Sequence, residues 1–183
     1  MAGLATTFGS GAMTNSIKEI GSAKTILAVG TNTTSAHPII GLRVKDAVRE
    51  NGAKLIVINP KEIELCRHAH LFLQIKPGTD IGLLMGMAKV IVEENLVDES
   101  FINTRCSGYI EFLGSLEKFD LVQVSEFTGI SCEEIVEAAK LYANNGPSAI
   151  LYCMGITQHV HGTNNVFAIS NLALLTGNLG KPS

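Results

Sequence analysis

The residues best suited to chemistry in this sequence stand in four short loops, each directly after an apolar run. The first loop, residues 30–38, begins with Gly30 and holds five hydroxyl or amide side chains, Asn32 and Ser35 among them, before a helical pattern starts. Such side chains, together with unpaired main-chain N–H groups before a helix, suit an anion such as phosphate. They equally suit a turn that caps the helix, so this loop alone leaves both interpretations open.

The second loop, Asn59-Pro60-Lys61, follows the apolar run of residues 54–58. An NAD site usually has a carboxylate here to bind the ribose hydroxyls, whereas this loop has an amide, a proline and a cation. The loop therefore disfavours NAD and is compatible with a guanosine ribose or a phosphate near Lys61, or with a simple turn. The sequence also lacks the GxGxxG and GxxxxGK[ST] motifs, because its Gly-Ser-Gly at residues 9–11 follows no strand.

The third loop contains Pro77, Gly78 and Thr79 and leads to Asp80 at the start of a helical pattern. Proline and glycine let a ligand approach the main chain closely, and an aspartate in a first helical turn commonly only complements the helix dipole. The two oxygens of Asp80 also match the N1–H and 2-amino donors of guanine, a donor pair that adenine lacks on that edge. The sequence therefore allows a guanine site at Asp80.

The fourth loop starts with Met154 and Gly155 and continues to Gln158. Gly155 permits close approach of a ligand, and the Gln158 amide can hydrogen-bond to it. No residue of the chain is predicted to be catalytic or to bind a metal. The five histidines flank helices and strands or lie in loops, and the four cysteines form no CxxC pair.

The elements that must position these loops follow from hydrophobic patterning. Residues 25–29, 54–58, 71–75 and 149–153 are short runs that are apolar on both faces, which is typical of parallel strands covered by helices on both sides. Helices are predicted over 39–51, 80–94, 131–144 and 164–176, the third opened by a Ser131/Glu134 capping box. Residues 96–127 are predicted to form two short helices, 98–105 and 109–118, on a solvated face.

This alternation predicts an α/β fold, a three-layer, doubly wound, mainly parallel Rossmann-like sheet with helices on both faces. We expect residues 1–183 to form a single domain, since the sequence has no repeat, low-complexity stretch or composition shift. Ligands of such sheets bind at the carboxyl ends of the strands, where the strand order reverses. The four loops follow the strands and would lie at that edge.

Composition excludes several classes of protein. Of the 183 residues, 46% are hydrophobic and 17% are charged, and the net charge is −3. A folded core is therefore expected, and a basic surface for nucleic acid is not. No uncharged apolar run is long enough for a membrane span, and residues 1–13 lack an export signal, which predicts a cytoplasmic protein. That uncharged stretch is predicted to be disordered or to support a weak homo-oligomer.

Several longer segments carry a resemblance to a known family. They include VGTNTTSAHPI, GAKLIVINPKEIE, IKPGTDIGLL and, most specifically, MGITQHVHGTNNVFAISNLALLTGNLGKP. Over the whole chain the sequence resembles the molybdopterin oxidoreductase family and, within it, the large subunit of formate dehydrogenase. The resemblance implies an α/β domain that holds one of two molybdopterin guanine dinucleotides, with molybdenum or tungsten in the full subunit.

The resemblance assigns each loop to one part of that cofactor, and Gly30 to the first loop's turn. It implies phosphate or pterin contacts for Asn32 and Ser35, ribose contacts for Asn59, Pro60 and Lys61, guanine contacts for Pro77, Gly78, Thr79 and Asp80, and pterin contacts for Met154, Gly155 and Gln158. The family usually has an acidic residue where Ser35 stands, and often an aspartate and an arginine where Asn59 and Lys61 stand. The guanine contact is therefore the best supported of the set.

The resemblance also implies parts that these 183 residues do not contain. Relatives carry a metal-ligating cysteine or selenocysteine, followed by a histidine, before the Ala-Gly-Leu found here at residues 2–4, and an arginine beyond the Gly-Lys-Pro near residue 181. An iron–sulfur cluster is expected only in a missing N-terminal part. We therefore expect a domain fragment that is inactive alone, with the remaining domains of the same subunit and electron-transfer subunits as partners.

Two other functions are compatible with parallel strands and polar strand-end loops. The first is the central nucleotide-binding domain of a thiamine diphosphate enzyme, which would prefer adenine or FAD. The second is a non-catalytic nucleotide-binding module, which would bind without any pterin. The LALLTGNLGKP segment argues against both.

Overall fold

A computed structural model describes residues 1–181, and within them the fold is built on a four-stranded, fully parallel sheet. Its strands are β1 (Thr25–Val29), β2 (Lys54–Ile58), β3 (Leu71–Leu73) and β4 (Ser148–Tyr152), in the spatial order β3-β2-β1-β4. In this register Leu27 stands opposite both Ile56 and Ile150. The predicted parallel α/β sheet is confirmed. Pro182 and Ser183, at the end of the segment that carries the resemblance, lie outside the described residues.

Successive residues of the central strands pack into two different cores, as the apolar runs predicted. Leu27 and Val29 lie in the larger core with helices α4 (Asp80–Glu93), α8 (Cys132–Asn144) and α10 (Gly162–Leu175). Ile26 and Ala28 lie in the smaller core beneath helix α3 (Pro38–Asn51). Because side chains alternate along a strand, both faces of the sheet are covered, and the three-layer arrangement is confirmed.

The four main helices begin and end close to the predicted residues. Helix α3 ends at Gly52 in the left-handed conformation, and α8 begins with the expected capping box, in which Glu134 N–H donates to Ser131 Oγ at 3.3 Å. Helix α10 starts at Gly162, two residues before its predicted start. The remaining helices in residues 1–181 are short: α1 (Ala2–Phe8), α2 (Thr33–Ala36), α5 (Glu99–Arg105), α6 (Tyr109–Leu116), α7 (Leu121–Thr128) and α9 (Met154–Thr157).

The prediction of a solvated face over residues 96–127 was wrong. Phe101, Ile102, Leu116 and Val124 are buried there, and α7, which was not predicted, packs on α4. The predicted third strand is also shorter than expected, because the main chain after Leu73 turns away from the sheet toward α7. This region therefore covers the larger core and is not an appendage to it.

The prediction that residues 1–13 are disordered was wrong for residues 2–8, which form α1 and pack on α10. The contact is close at Gly3, where an added Cβ would lie 2.7 Å from Val166 Cγ1. No helix within residues 1–181 is both long and apolar enough to span a membrane.

The imidazole of His70 takes part in the sheet and gives the fold a pH dependence. The buried Leu55 N–H donates to His70 Nδ1 at 3.2 Å, which requires the neutral ring. Burial, with a smaller contribution from the Lys54 charge, lowers the pKa of His70 below its usual 6.5. Since the unfolded chain binds this proton more readily, the stabilisation is complete above about pH 6.5 and is lost as the pH falls through the folded-state value.

We therefore expect urea unfolding to show lower stability near pH 5 than near pH 8, with His70→Ala less sensitive to pH and about 1 kcal/mol less stable at pH 8. His161→Ala, which changes an exposed histidine in a loop, is the control. An identical pH dependence in the His70→Ala variant would contradict this role.

Candidate functional site

The carboxyl ends of the four parallel strands bring the four polar loops to one edge of the sheet. The chain runs from β1 outward to β2 and β3, and then returns to place β4 on the other side of β1. The strand order therefore reverses between β1 and β4, which is where ligands of doubly wound sheets bind. The loops after β1 and β4 form the two sides of this position.

Two glycines hold these loops in contact. Gly155 N–H donates to Gly30 O at 3.0 Å, and Gly30 has a φ of +56°. A Cβ added to Gly155 would lie 2.4 Å from Gly30 O, and one added to Gly30 would lie 2.9 Å from the Gly155 carbonyl carbon. Only residues without a Cβ allow the two main chains to come this close.

The sequence predicted a loop over residues 30–38 that enters α3 directly, but the short helix α2 (Thr33–Ala36) lies within it. Asn32 precedes α2, and its Oδ1 accepts a hydrogen bond from Thr34 Oγ1 at 2.9 Å instead of capping the helix. Ser35 is exposed, and no partner for its hydroxyl is found within residues 1–181. Thr33 Oγ1, which the sequence did not single out, is buried and has no hydrogen-bond partner in the described part of the chain.

Asn59 links the first and second loops. Its Nδ2 donates to Thr31 O at 3.3 Å, and its Oδ1 accepts from Lys61 N–H at 3.0 Å. Both ends of this amide are therefore used within the protein. Lys61 and Pro60 are exposed, and Lys61 forms no ion pair with any residue in the described part of the chain.

In the third loop, Pro77 and Gly78 form an exposed turn, with Gly78 at a φ of +82°. Thr79 occupies the residue before α4 as predicted, but it does not cap the helix. Its Oγ1 donates instead to Lys76 O at 2.7 Å, and this bond holds the turn that precedes Asp80.

The most unusual group at this edge is the carboxylate of Asp80, which is only 5% exposed at the start of α4. Burial raises the pKa of Asp80 above its ordinary 3.8, while its own main-chain N–H and the charge of His159 act in the opposite direction. No side chain within residues 1–181 donates a hydrogen bond to it or pairs with it. A buried carboxylate normally has such partners, so this one is prepared to accept donors from elsewhere.

The fourth loop forms a single helical turn, α9, where the sequence predicted a loop. Met154 is 57% exposed, Gln158 is exposed at the end of the turn, and His159 Nε2 donates to Gly155 O at 2.7 Å. The sequence predicts only that His159 lies in a loop. Its electrostatic influence on Asp80 connects the third and fourth loops, and this influence depends on the fold.

The comparison with protein families shows which family the chain belongs to. The model of the family described as molybdopterin oxidoreductase matches residues 2–183. The chain belongs to the molybdopterin oxidoreductase family. The predicted resemblance is thereby confirmed over essentially the whole sequence, and the thiamine diphosphate alternative is not supported.

Two relatives place the chain more closely within the molybdopterin oxidoreductases. It is 49% identical over 180 residues to the F420-dependent formate dehydrogenase 1 subunit alpha of Methanococcus maripaludis, covering 98% of this chain and 27% of that protein. It is 42% identical over 182 residues to formate dehydrogenase H of Escherichia coli, covering 25% of that protein. The chain thus spans about a quarter of these relatives and matches the molybdopterin oxidoreductase region of formate dehydrogenase-like proteins.

A solved structure agrees with the fold. Acetylene hydratase from Pelobacter acetylenicus superposes with a TM-score of 0.81 at 25% sequence identity, over 90% of this chain and 24% of that one. Within residues 1–181, the molybdopterin oxidoreductase domain brings together no group of three or more histidine, cysteine, aspartate or glutamate side chains suited to a metal ion.

Proposed function

We propose that this chain is the cofactor-binding domain of a formate dehydrogenase-like molybdenum or tungsten oxidoreductase, and that it binds the guanine, ribose and pyrophosphate of a molybdopterin guanine dinucleotide. The observation that carries the proposal is the buried carboxylate of Asp80 at the carboxyl edge of the sheet, to which no side chain within residues 1–181 donates a hydrogen bond. A guanine base presents two adjacent N–H donors to such a carboxylate. Adenine presents no matching pair.

The other loops fit the remaining parts of the same ligand. Lys61 is an exposed cation beside the second strand end, and Asn32 and Ser35 offer hydroxyl and amide groups beside the first. The Asn59 amide is already engaged by main-chain groups, so it would act by holding the ribose-side loop in position. Met154, Gly155 and Gln158 line the opposite side of the strand-order reversal, where we place the pterin.

The chemistry of formate oxidation would come from groups outside this domain. The bound cofactor supplies a metal at which substrate electrons are taken up, and we expect its cysteine or selenocysteine ligand, a histidine and an arginine from other parts of the subunit. The residues of this chain bind and orient the nucleotide end, and isolated residues 1–183 are expected to be inactive. The assignment of these residues to one domain stays a prediction.

Partners follow from the same proposal. Relatives are named as alpha subunits, which supports further domains of the same subunit and separate electron-transfer subunits as the partners of this chain. The cytoplasmic location, the weak homo-oligomer, the choice between molybdenum and tungsten and the separate iron–sulfur cluster stay predictions.

The proposal is tested by titrating the purified chain with GDP, ADP and FAD in a calorimeter. We expect GDP to bind in the micromolar to millimolar range and ADP to bind at least tenfold more weakly, because ADP leaves the Asp80 carboxylate without donors. Stronger binding of ADP or FAD than of GDP would contradict the proposal and favour an adenine-binding module.

A further inference from the structure

A narrow cavity runs along β4, at the side of the sheet away from β1. Its volume is about 350 Å³, and residues 148–153 all line it, facing Leu4 and Phe8 of α1. Side chains alternate between the two faces of a strand, so a cavity on one face would be lined by every second residue. Six consecutive lining residues place this cavity along the hydrogen-bonding edge of β4.

Within residues 1–181, no strand pairs with the main-chain groups at this edge. Pro147 O accepts a hydrogen bond from Thr25 N–H in β1, so by the parallel pattern the odd-numbered residues of β4 pair with β1. Ser148, Ile150 and Tyr152 consequently present their N–H and C=O groups to the cavity. Ser148 N–H donates to Asn178 Oδ1 at 3.0 Å, whereas Ile150 and Tyr152 find no partner there within residues 1–181.

One buried hydroxyl that lines this cavity, Thr33 Oγ1, has no hydrogen-bond partner within residues 1–181. Tyr142 OH also lines the cavity, and burial raises the pKa of Tyr142 to about 12, although hydrogen bonding to Thr176 and Asn178 acts in the opposite direction. Buried polar groups in native proteins are nearly always hydrogen-bonded, so the Thr33 hydroxyl, together with the unpaired main-chain groups of Ile150 and Tyr152, indicates that the cavity is filled in the working assembly.

The sequence of β4 is that of an interior strand. Residues 148–152 read SAILY, without a charge, a proline or a bulge, although natural edge strands normally carry such features to prevent further pairing. The order β3-β2-β1-β4 also matches the first four strands of the six-stranded order 3-2-1-4-5-6 of a complete doubly wound sheet. In that order a fifth strand lies beside the fourth. Relatives have about three times as much additional polypeptide from which such a strand could come.

The dimensions limit what can bind. Five strand residues span about 16 Å, so an occupant that follows the whole of β4 must be an extended chain of about that length. An apolar chain without amides would leave the N–H and C=O groups of Ile150 and Tyr152 unpaired. A peptide in the extended conformation satisfies them, as in other cases of strand addition.

We propose that β4 accepts a fifth strand, an extended and uncharged segment, from the part of a formate dehydrogenase-like alpha subunit that lies outside the matched region. This inference rests on the proposed function only in naming the source of the segment. It makes the cavity an assembly site for the rest of the subunit. The cavity reaches the first loop, where Thr31 and Thr33 line it, but Asp80 is not among its lining residues.

The test uses overlapping synthetic peptides of about twelve residues that tile the remainder of the Methanococcus maripaludis alpha subunit, titrated against the 183-residue chain. We expect one uncharged peptide to bind, to slow hydrogen exchange at the amides of Ile150 and Tyr152, and to bind at least tenfold more weakly to Ile150→Pro. That variant removes an edge N–H but no bond to β1, and Ile150→Val is the matched control.

Three results would overturn the proposal. They are the absence of any binding peptide, binding that Ile150→Pro leaves unchanged, and a dimer of the free chain that Ile150→Pro dissociates, which would assign the edge to a second copy. GDP titration of Ile150→Pro separates the two proposals. If Ile150→Pro binds GDP with the affinity of the unchanged chain, the peptide titrations report on strand addition alone. The proposal for the nucleotide site then stands or falls on its own test.

Discussion

Replacing Gly155 with alanine is expected to lower the free energy of unfolding by about 2–3 kcal/mol and to weaken GDP binding at least tenfold. The new Cβ would lie 2.4 Å from Gly30 O. Because the atoms that it meets belong to the main chain of Gly30, no side chain can move aside to make room. The loops after β1 and β4 must separate, which displaces both sides of the nucleotide site. Urea unfolding and GDP calorimetry measure the two effects.

Gly114→Ala is the matched control for this substitution. Gly114 lies in α6, and an added Cβ there meets no atom within 4 Å. Alanine is the better helix former, so this variant should keep its GDP affinity and be equally or slightly more stable, by up to about 1 kcal/mol. If the two variants behave alike, the close contact of the two loops has no importance for stability or binding.

Asp80→Asn is expected to weaken GDP binding by about a hundredfold or more. The change removes two charge-assisted hydrogen bonds and places an NH₂ group against the donors of guanine. ADP affinity should be unaffected. The reason is that the base-recognising pair is lost, while the loops that contact ribose and phosphate remain.

The stability of the same variant shows whether the loss comes from recognition or from unfolding. Burial raises the pKa of Asp80, so between 3.8 and its folded-state pKa the folded chain binds this proton more readily than the unfolded chain. The stabilisation that the protonated Asp80 contributes is therefore complete below pH 3.8 and is lost as the pH rises through the folded-state pKa. At pH 7 the buried charge is therefore unfavourable in the free protein, and Asp80→Asn should not lower the free energy of unfolding. A destabilised variant, or one with normal GDP affinity, would contradict this account.

The parts of the fold that depend on local pattern were accessible from the sequence. β1 and β2 have the predicted bounds because strands covered on both faces consist of uninterrupted apolar residues. The start of α8 was predictable from its Ser131/Glu134 capping box. Helix α7 was missed although Asp120 caps it and Gly129 ends it, because eight residues are too few for a helical pattern to stand out in the sequence. Helix α1 depends on the fit of Gly3 against Val166, a contact that no local pattern reveals.

The site was predictable in position but not in its energetics. Strand-end placement follows from topology, so Asp80 and the four loops could be named in advance. The burial of Asp80, the use of the Asn59 amide as a link between loops and the influence of His159 on Asp80 all arise from tertiary packing. The sequence therefore located the candidate ligand contacts. Within residues 1–181, the fold distinguishes the Asp80 carboxylate, which has no side-chain partner, from the Asn59 amide, which is already hydrogen-bonded.

The central claim, that Asp80 is the guanine-binding carboxylate, is tested most directly by carbon-13 NMR of its side-chain carboxyl during a pH titration with and without GDP. Asp80→Asn identifies the resonance. The account predicts a pKa above 3.8 in the free chain, because of burial, and a lower pKa with GDP, because guanine donors stabilise the charged form. GDP that binds without changing the titration of Asp80 would contradict it.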